Sequence, residues 1–287
     1  MAGTVLNQRL ARSYLFAEVN TIAEAAGWTP NQFAKVMGKS GNTIRAWLDR
    51  TRLPDLGNLS LICDRGGVDD DRKQFILHVG QQLLSGSELI SNLDQRNIFL
   101  VESAERTYGT IAKWNPVLLP GLAQTETVHM KLMLGPMEAP AEKIVTWKRK
   151  ERRAAAFFAR MTQPDPPTAE LFVPASALRD LDLLTSTEKA EQVERLLWID
   201  SLPTCEVLVV SPPHLAAYSF EMFIGRGLPS AGPNFVHVET LDQSRHVVDP
   251  EILALYDQTR SLLRADAQGI GRFLDGGVHQ LAEEQPE

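Results

Sequence analysis

The most constraining feature of this chain is the stretch Thr29-Pro-Asn-Gln-Phe-Ala-Lys-Val-Met-Gly-Lys-Ser-Gly-Asn-Thr-Ile-Arg-Ala-Trp-Leu48. Thr29 supplies an N-cap hydroxyl and Pro30 fits the first helical position. Phe33, Ala34 and Met37 recur at helical spacing, and Gly38 provides the residue that tolerates positive φ where a helix ends. Ser40 or Asn42 can cap a second short helix, whose inner face is Ile44, Trp47 and Leu48. Two short helices that cross steeply need a small residue at their contact, which Ala34 supplies. The spacing Ala34, Gly38, Ile44, Trp47 is what a helix-turn-helix requires.

The flanking residues complete a five-helix bundle. Leu6, Leu10, Tyr14, Leu15, Val19, Ile22 and Ala26 mark one helix before the motif, ended by Gly27. Leu53-Pro54-Asp55 breaks the chain. A helix from Asp55 to Asp64 comes next, then another from about Asp69 to Leu84 with three aspartates in its first turn, where acids suit the helix dipole. At roughly 100–200 residues per domain, 287 residues suit two domains. The polar Ser85-Gly86-Ser87 places the boundary near residue 90, with an all-α bundle over 1–90 and a mixed α+β domain over 91–287. The expected class is mainly α.

In the second half, helices are expected over Ile98–Lys113, Ala141–Met161, Thr187–Leu197 and from Asp249-Pro250 to about Leu281. Gln163–Thr168 reads as a loop. Strands are expected over Leu171–Val173, Glu206–Val210, Tyr218–Ile224 and Phe235–Leu241.

If the second motif helix enters the major groove, Gly41, Asn42, Arg45 and Ala46 face bases. Arg45 can grip guanine bidentately and Asn42 adenine. Asn31, Gln32, Lys39, Ser40 and Thr43 are placed to hold phosphates. The net charge of −7 argues against indiscriminate nucleic-acid coating. It leaves room for a local basic surface: Lys35, Lys39, Arg45, Arg50 and Arg52 stand against the single acid Asp49.

The segment Trp47-Leu-Asp-Arg-Thr-Arg-Leu-Pro54 resembles the phage-repressor-like, or xenobiotic-response-element, regulators, whose pattern runs Trp, acid, glycine, proline. Here Leu48 replaces the acid and Arg50 the glycine. The second domain resembles the C-terminal domain of unknown function in actinobacterial regulators of the WhiJ type, often described as antitoxin-like. The resemblance rests on Glu102-Ser-Ala-Glu105, Leu119-Pro-Gly-Leu-Ala-Gln-Thr125, the basic cluster Arg149, Arg152 and Arg153, Val207–Pro212, Phe235–Glu239 and the closing helix with Tyr256, Leu262, Leu263 and Ala267. Ala123, Arg153 and Pro174 depart from the family's usual residues. The resemblance implies a transcription regulator, often encoded beside a small partner protein.

Other constellations point to bland roles. Lys148–Arg153 reads as a solvated basic face that could also meet DNA or an acidic partner. Pro120-Gly121 reads as a turn, with Gln124 and Thr125 capping the helix after it. His237, Glu239, Asp242 and His246 would have to converge on one point to hold a metal. Glu102 and Glu105 share a helix side without marking an acid–base pair. Ser211-Pro212-Pro213-His214 lacks a nucleophile elbow, and there is no P-loop, dinucleotide fingerprint or His-Glu-x-x-His. No catalytic residue, metal or cofactor is expected. Cys63 and Cys205 suit a reducing cytoplasm, and neither a signal peptide nor a membrane span is expected. The expected protein is a cytoplasmic, dimeric regulator bound to double-stranded DNA. The alternative is an antitoxin-like protein-interaction module whose DNA binding is secondary or lost.

Overall fold

The computed structural model describes residues 2–86, 90–92, 98–133, 140–214, 216–240 and 243–283. The elements, in chain order, are α1 (Ala2–Ala25), α2 (Pro30–Met37), α3 (Gly41–Leu48), α4 (Leu56–Arg65), α5 (Asp70–Ser85), β1 (Ile90–Asn92), α6 (Ile98–Thr107), β2 (Thr110–Trp114), α7 (Glu126–Val128), α8 (Pro140–Ala159), β3 (Thr168–Pro174), α9 (Ala175–Arg179), α10 (Ser186–Asp200), β4 (Cys205–Val210), β5 (Phe220–Ile224), β6 (Phe235–Glu239), β7 (Gln243–Val247), α11 (Pro250–Asp266), β8 (Ala267–Gly269) and α12 (Ile270–Glu283). The class is α+β, with helices at the N-terminus and a mixed sheet in the C-terminal half.

Two compact units result: 1–108 with 224–253, and 109–223 with 254–287. This partition differs from the sequence-based division at residue 90. Helix α6 and the distant segment 224–253 fall with the N-terminal helices. Part of the expected linker, residues 87–89 and 93–97, lies outside the described residues.

In the first unit, α1 packs against α3, α4, α5 and α6. Leu10, Leu15, Val19 and Ile22 of α1 are buried with Phe33, Ile44, Trp47, Leu59, Ile62, Phe75, Ile76 and Val79. Three starts are capped as the residue types dictate. Asp55 accepts from the Asn58 amide at 2.8 Å and Asp69 from the Arg72 amide at 2.9 Å. Thr29 and Gln32 form a reciprocal capping box. β7 lies between β1 and β6 and pairs antiparallel with both. At the centre of this unit, Glu18 is fully buried. Its carboxylate accepts from Arg72 Nε at 2.7 Å and from Arg106 Nη2 at 3.0 Å, tying α1 to α5 and α6.

In the second unit the strand order is β5-β2-β3-β4-β8. β2, β3 and β4 run parallel, and β8 is antiparallel to β4. Parallel neighbours need long crossovers, here the stretches that carry α8 and α10. Nearly every residue of β3 and β4 is buried, as in parallel strands covered on both faces. Charges on β3 and β4 are matched from α11: Arg264 reaches both Glu170 and Glu206 at 2.6 Å, and Arg260 meets Glu170 at 2.9 Å.

The helix expected through Lys113 stops at Thr107. The chain turns extended at Thr110, and Ile111, Ala112, Lys113 and Trp114 are buried in β2. Lys113 is neutralised there by Glu221 of β5 at 2.6 Å. Tertiary pairing with β3 overrides a local pattern that short apolar runs leave ambiguous between helix and strand. β1, β7 and β8 are further strands not anticipated from sequence. Cys63 and Cys205 are buried free thiols. Burial is the first cause that pushes their pKa values up, to about 11 and about 12. Among the described residues no helix is long and apolar enough to cross a membrane.

Candidate nucleic-acid interface

All nine sequence-predicted contact residues lie on α2, α3 and the turn between them. Phe33 stacks on Trp28 with ring centroids 5.0 Å apart and meets Trp47 edge-on at 6.0 Å. Ile44 and Trp47 are buried, so the same helix turns Asn42 and Arg45 to solvent. The turn closes as a paired C-cap: the Gly38 amide donates to Lys35 O at 3.3 Å and the Lys39 amide to Ala34 O at 3.0 Å, with Gly38 at φ 61°. Ser40 then caps α3 by accepting from the Thr43 amide at 3.2 Å.

The polar residues are partly engaged with each other. Arg45 Nη1 donates to Asn42 Oδ1 at 3.3 Å, which leaves the remaining guanidinium donors and the Asn42 amide NH₂ for other groups. The Ser40 and Thr43 hydroxyls lie 2.9 Å apart. Gln32 Oε1 accepts from the Thr29 amide at 2.9 Å, so its carbonyl end is committed to the cap of α2. Asn31 and Lys39 are exposed, while Gly41 and Ala46 are half-buried. The Ala46 carbonyl closes the end of α3, accepting from the Thr51 and Arg52 amides at 3.0 Å each.

The ends of α1, α2, α3 and α4 share one design. Each closes with the same pair of backbone bonds around a residue of positive φ: Gly27, Gly38, Arg50 and Gly67, at 65°, 61°, 60° and 68°. Only α3 uses a residue with a side chain. That side chain has a task, since Arg50 Nη1 donates to Ser230 O at 2.7 Å and Pro229 O at 3.2 Å. The loop it grips is fixed independently. Tyr108 Oη donates to Pro233 O at 2.8 Å, and a Cβ at Gly232 would come within 2.9 Å of the same hydroxyl. Asn20 of α1 adds a bond to Leu48 O at 3.4 Å. The left-handed conformation costs a side-chain-bearing residue about 1–2 kcal/mol. Arg50→Ala and Arg50→Gly both lose the two carbonyl contacts, but only glycine sheds that cost. The glycine variant is therefore expected to exceed the alanine variant in urea-unfolding stability by about 1 kcal/mol. Equal stabilities would show that the positive φ carries no strain.

The other sequence candidates distribute differently. Of the basic run, Lys148 and Arg152 are exposed, whereas Lys150 turns inward and Arg153 lies 3.9 Å from Glu221, so the run is not a uniformly solvated face. Lys150 Nζ donates to Gln124 Oε1 at 2.7 Å and to His129 Nδ1 at 2.8 Å. Burial first, and then the nearby Arg153, lowers the Lys150 pKa to about 8. Thr125 caps α7 as expected, its hydroxyl accepting from the Val128 amide at 3.4 Å. Gln124 instead donates to Leu119 O at 2.7 Å. Buried His237 and His246 face each other across β6 and β7, Nδ1 to Nε2 3.3 Å. Asp242 lies outside the described residues, and among those described no group of three or more His, Cys, Asp or Glu could hold a metal ion. Glu102 and Glu105 are both buried on α6. Sequence reasoning missed Glu18 and the inward turn of Lys150; a lone acid in the apolar face of α1 was the only available sign of the former.

Residues 101–269, more than half of the chain, match the sequence profile of a family described as "Domain of unknown function (DUF5753)". No curated protein and no solved structure matches.

Proposed function

The chain belongs to the DUF5753 family, and on that premise we propose that it is a sequence-specific, DNA-binding transcriptional regulator rather than an enzyme. In this reading α2 and α3 form a helix-turn-helix of the phage-repressor type within a bundle of five N-terminal helices. α3 enters the major groove. Arg45 and Asn42 read base edges beside Gly41 and Ala46. Lys39, Ser40, Thr43, Asn31 and Gln32 hold phosphates. The protein acts in the cytoplasm as a homodimer, with the C-terminal half serving dimerisation and the sensing of a ligand or of a small partner protein.

The observation that carries this is the build of α3. It is an eight-residue helix, capped by Ser40, buried along Ile44 and Trp47, and open at Asn42 and Arg45. A helix-turn-helix has this requirement, because its second helix must press apolar residues onto the bundle while exposing polar ones near its N-terminus. Charge agrees: Lys35, Lys39, Arg45 and Arg52 are exposed on and beside the hairpin.

The test is selection of bound duplexes from a random library, followed by salt-titrated mobility shifts. The expected result is a near-palindrome with half-sites about 34 Å apart, bound at about 10⁻⁸–10⁻¹¹ M. Weak, sequence-blind binding would overturn it and favour a protein-interaction module.

A further inference from the structure

The second unit contains a pocket of about 630 Å³ between α8, α10 and the turn at Gly121–Thr125. That volume lies in the range of small-molecule sites. Its walls are aromatic, formed by Trp147, Phe158 and Trp198. Lys150 reaches it from α8 and Arg195 from α10. The Arg195 guanidinium carbon sits 5.4 Å from the Phe158 ring centroid and 5.1 Å from that of Trp198. Its Nη2 donates to Leu122 O at 3.2 Å, while its buried Nε has no hydrogen-bond partner.

The charge balance of the pocket is uneven. A lysine ordinarily extends its ammonium to water. Lys150 is instead held inside by two neutral acceptors, Gln124 and His129. His129 stays neutral because burial first, then Lys150 and Lys143, lowers its pKa to about 4. Two of the three ammonium protons are thus satisfied, and no described carboxylate pairs with Lys150. The acids that line the pocket, Glu126, Glu151 and Glu191, are all exposed. The interior is therefore cationic and aromatic, with the negative charge at the rim. A buried cation without a counter-charge is costly, and an incoming anion would relieve that cost.

We propose that this pocket binds a small organic anion carrying an aromatic ring, its anionic group drawn to Lys150 and Arg195 and its ring lying against Trp147, Phe158 and Trp198. The two cations select for charge, and the aromatic walls select for a flat apolar body. The site is separate from the α2–α3 hairpin, and its test involves no DNA.

The experiment is titration calorimetry on the full chain with two probes of the same ring: 2-naphthoate and the uncharged 2-naphthylmethanol. The carboxylate is expected to bind at least tenfold more tightly than the alcohol. Lys150→Met is expected to lower that preference, with Arg195 keeping part of it, and to leave the alcohol's affinity unchanged. Ala155→Trp, at an exposed residue of the pocket lining, is expected to abolish binding of both probes without moving the melting temperature. Equal affinity of the wild type for both probes, absence of binding at millimolar concentration, or a carboxylate preference undiminished in Lys150→Met would each overturn the proposal. If Lys150→Met fails to fold, undiminished naphthoate binding by Ala155→Trp overturns it.

Discussion

Replacing Arg45 and Asn42 together with alanine is expected to abolish sequence-selective DNA binding and leave a weak, salt-sensitive residue of affinity. Each bidentate base contact contributes roughly 1–3 kcal/mol of discrimination, about 5- to 150-fold. The two side chains touch, Arg45 Nη1 donating to Asn42 Oδ1 at 3.3 Å. Their effects should therefore not add. Arg45→Ala frees an acceptor that Asn42 otherwise shares, and Asn42→Ala removes a brace on the guanidinium. A double-mutant cycle on the selected operator should show a coupling of about 0.5 kcal/mol or more. Lys39→Ala provides the contrast. In the proposed interface it would remove a phosphate contact, so affinity should fall about equally on all sequences and the salt slope should shrink by about 1. Unchanged selectivity in the Arg45/Asn42 double variant would remove these two residues from the interface, whatever the protein does elsewhere. Neither side chain supports the core, so both variants should fold.

The largest stability effect is expected at Glu18. Breaking a buried ion pair by removing one partner typically costs 3–5 kcal/mol, because the remaining charge loses its compensation. Here one carboxylate serves two arginines, so Glu18→Gln removes the charge to which both donate, with Glu102 a remaining acid that acts on Arg72. Arg72 and Arg106 are 19% and 28% exposed at the side chain and can recover part of their hydration. The expected loss in Glu18→Gln is therefore about 3 kcal/mol, the low end of that range. Asp64, half-exposed and paired with Lys73, is the matched surface case. Asp64→Asn should cost less than about 1 kcal/mol. Urea unfolding followed by far-ultraviolet circular dichroism measures both. A Glu18→Gln loss no larger than that of Asp64→Asn would show that the triad contributes nothing beyond a surface pair.

What was legible in the sequence was local. Thr29, Ser40, Asp55 and Asp69 announce their helices because a cap is made by a side chain and amides two or three residues away. Gly27, Gly38 and Gly67 announce the ends for the same reason. The face of α3 follows from Ile44 and Trp47 being three apart. What stayed hidden depends on partners far along the chain. β7 reads Gln-Ser-Arg-His-Val, with little apolar signal, and becomes a strand because β1 and β6 flank it. β8 is three residues long and exists because β4 offers an edge. Glu18 looks misplaced until Arg72 and Arg106 arrive, 54 and 88 positions later. Arg50 is visible in sequence as a departure from a glycine, but its destination lies 179 and 180 residues away. Lys150 could not be distinguished from its neighbours in a basic run, because only the positions of Gln124 and His129 turn it inward.

The segment 224–253 has a consequence for inheritance as well as for folding. A fragment ending at residue 108 would carry every residue of the α2–α3 hairpin. It would lack the carbonyls of Pro229 and Ser230 that receive Arg50, and the Pro233 carbonyl that receives the Tyr108 hydroxyl. Arg50 would keep its left-handed backbone with nothing to offset it, and the α1 surface at Ser13 that Gly232 approaches would lie bare. After a single crossover between these stretches, Arg50, Tyr108 and Ser13 would face another protein's 224–253 segment, whose backbone carbonyls would have to meet the same two donors. An exchange that carries both coding stretches, more than a hundred codons apart, keeps every one of these contacts.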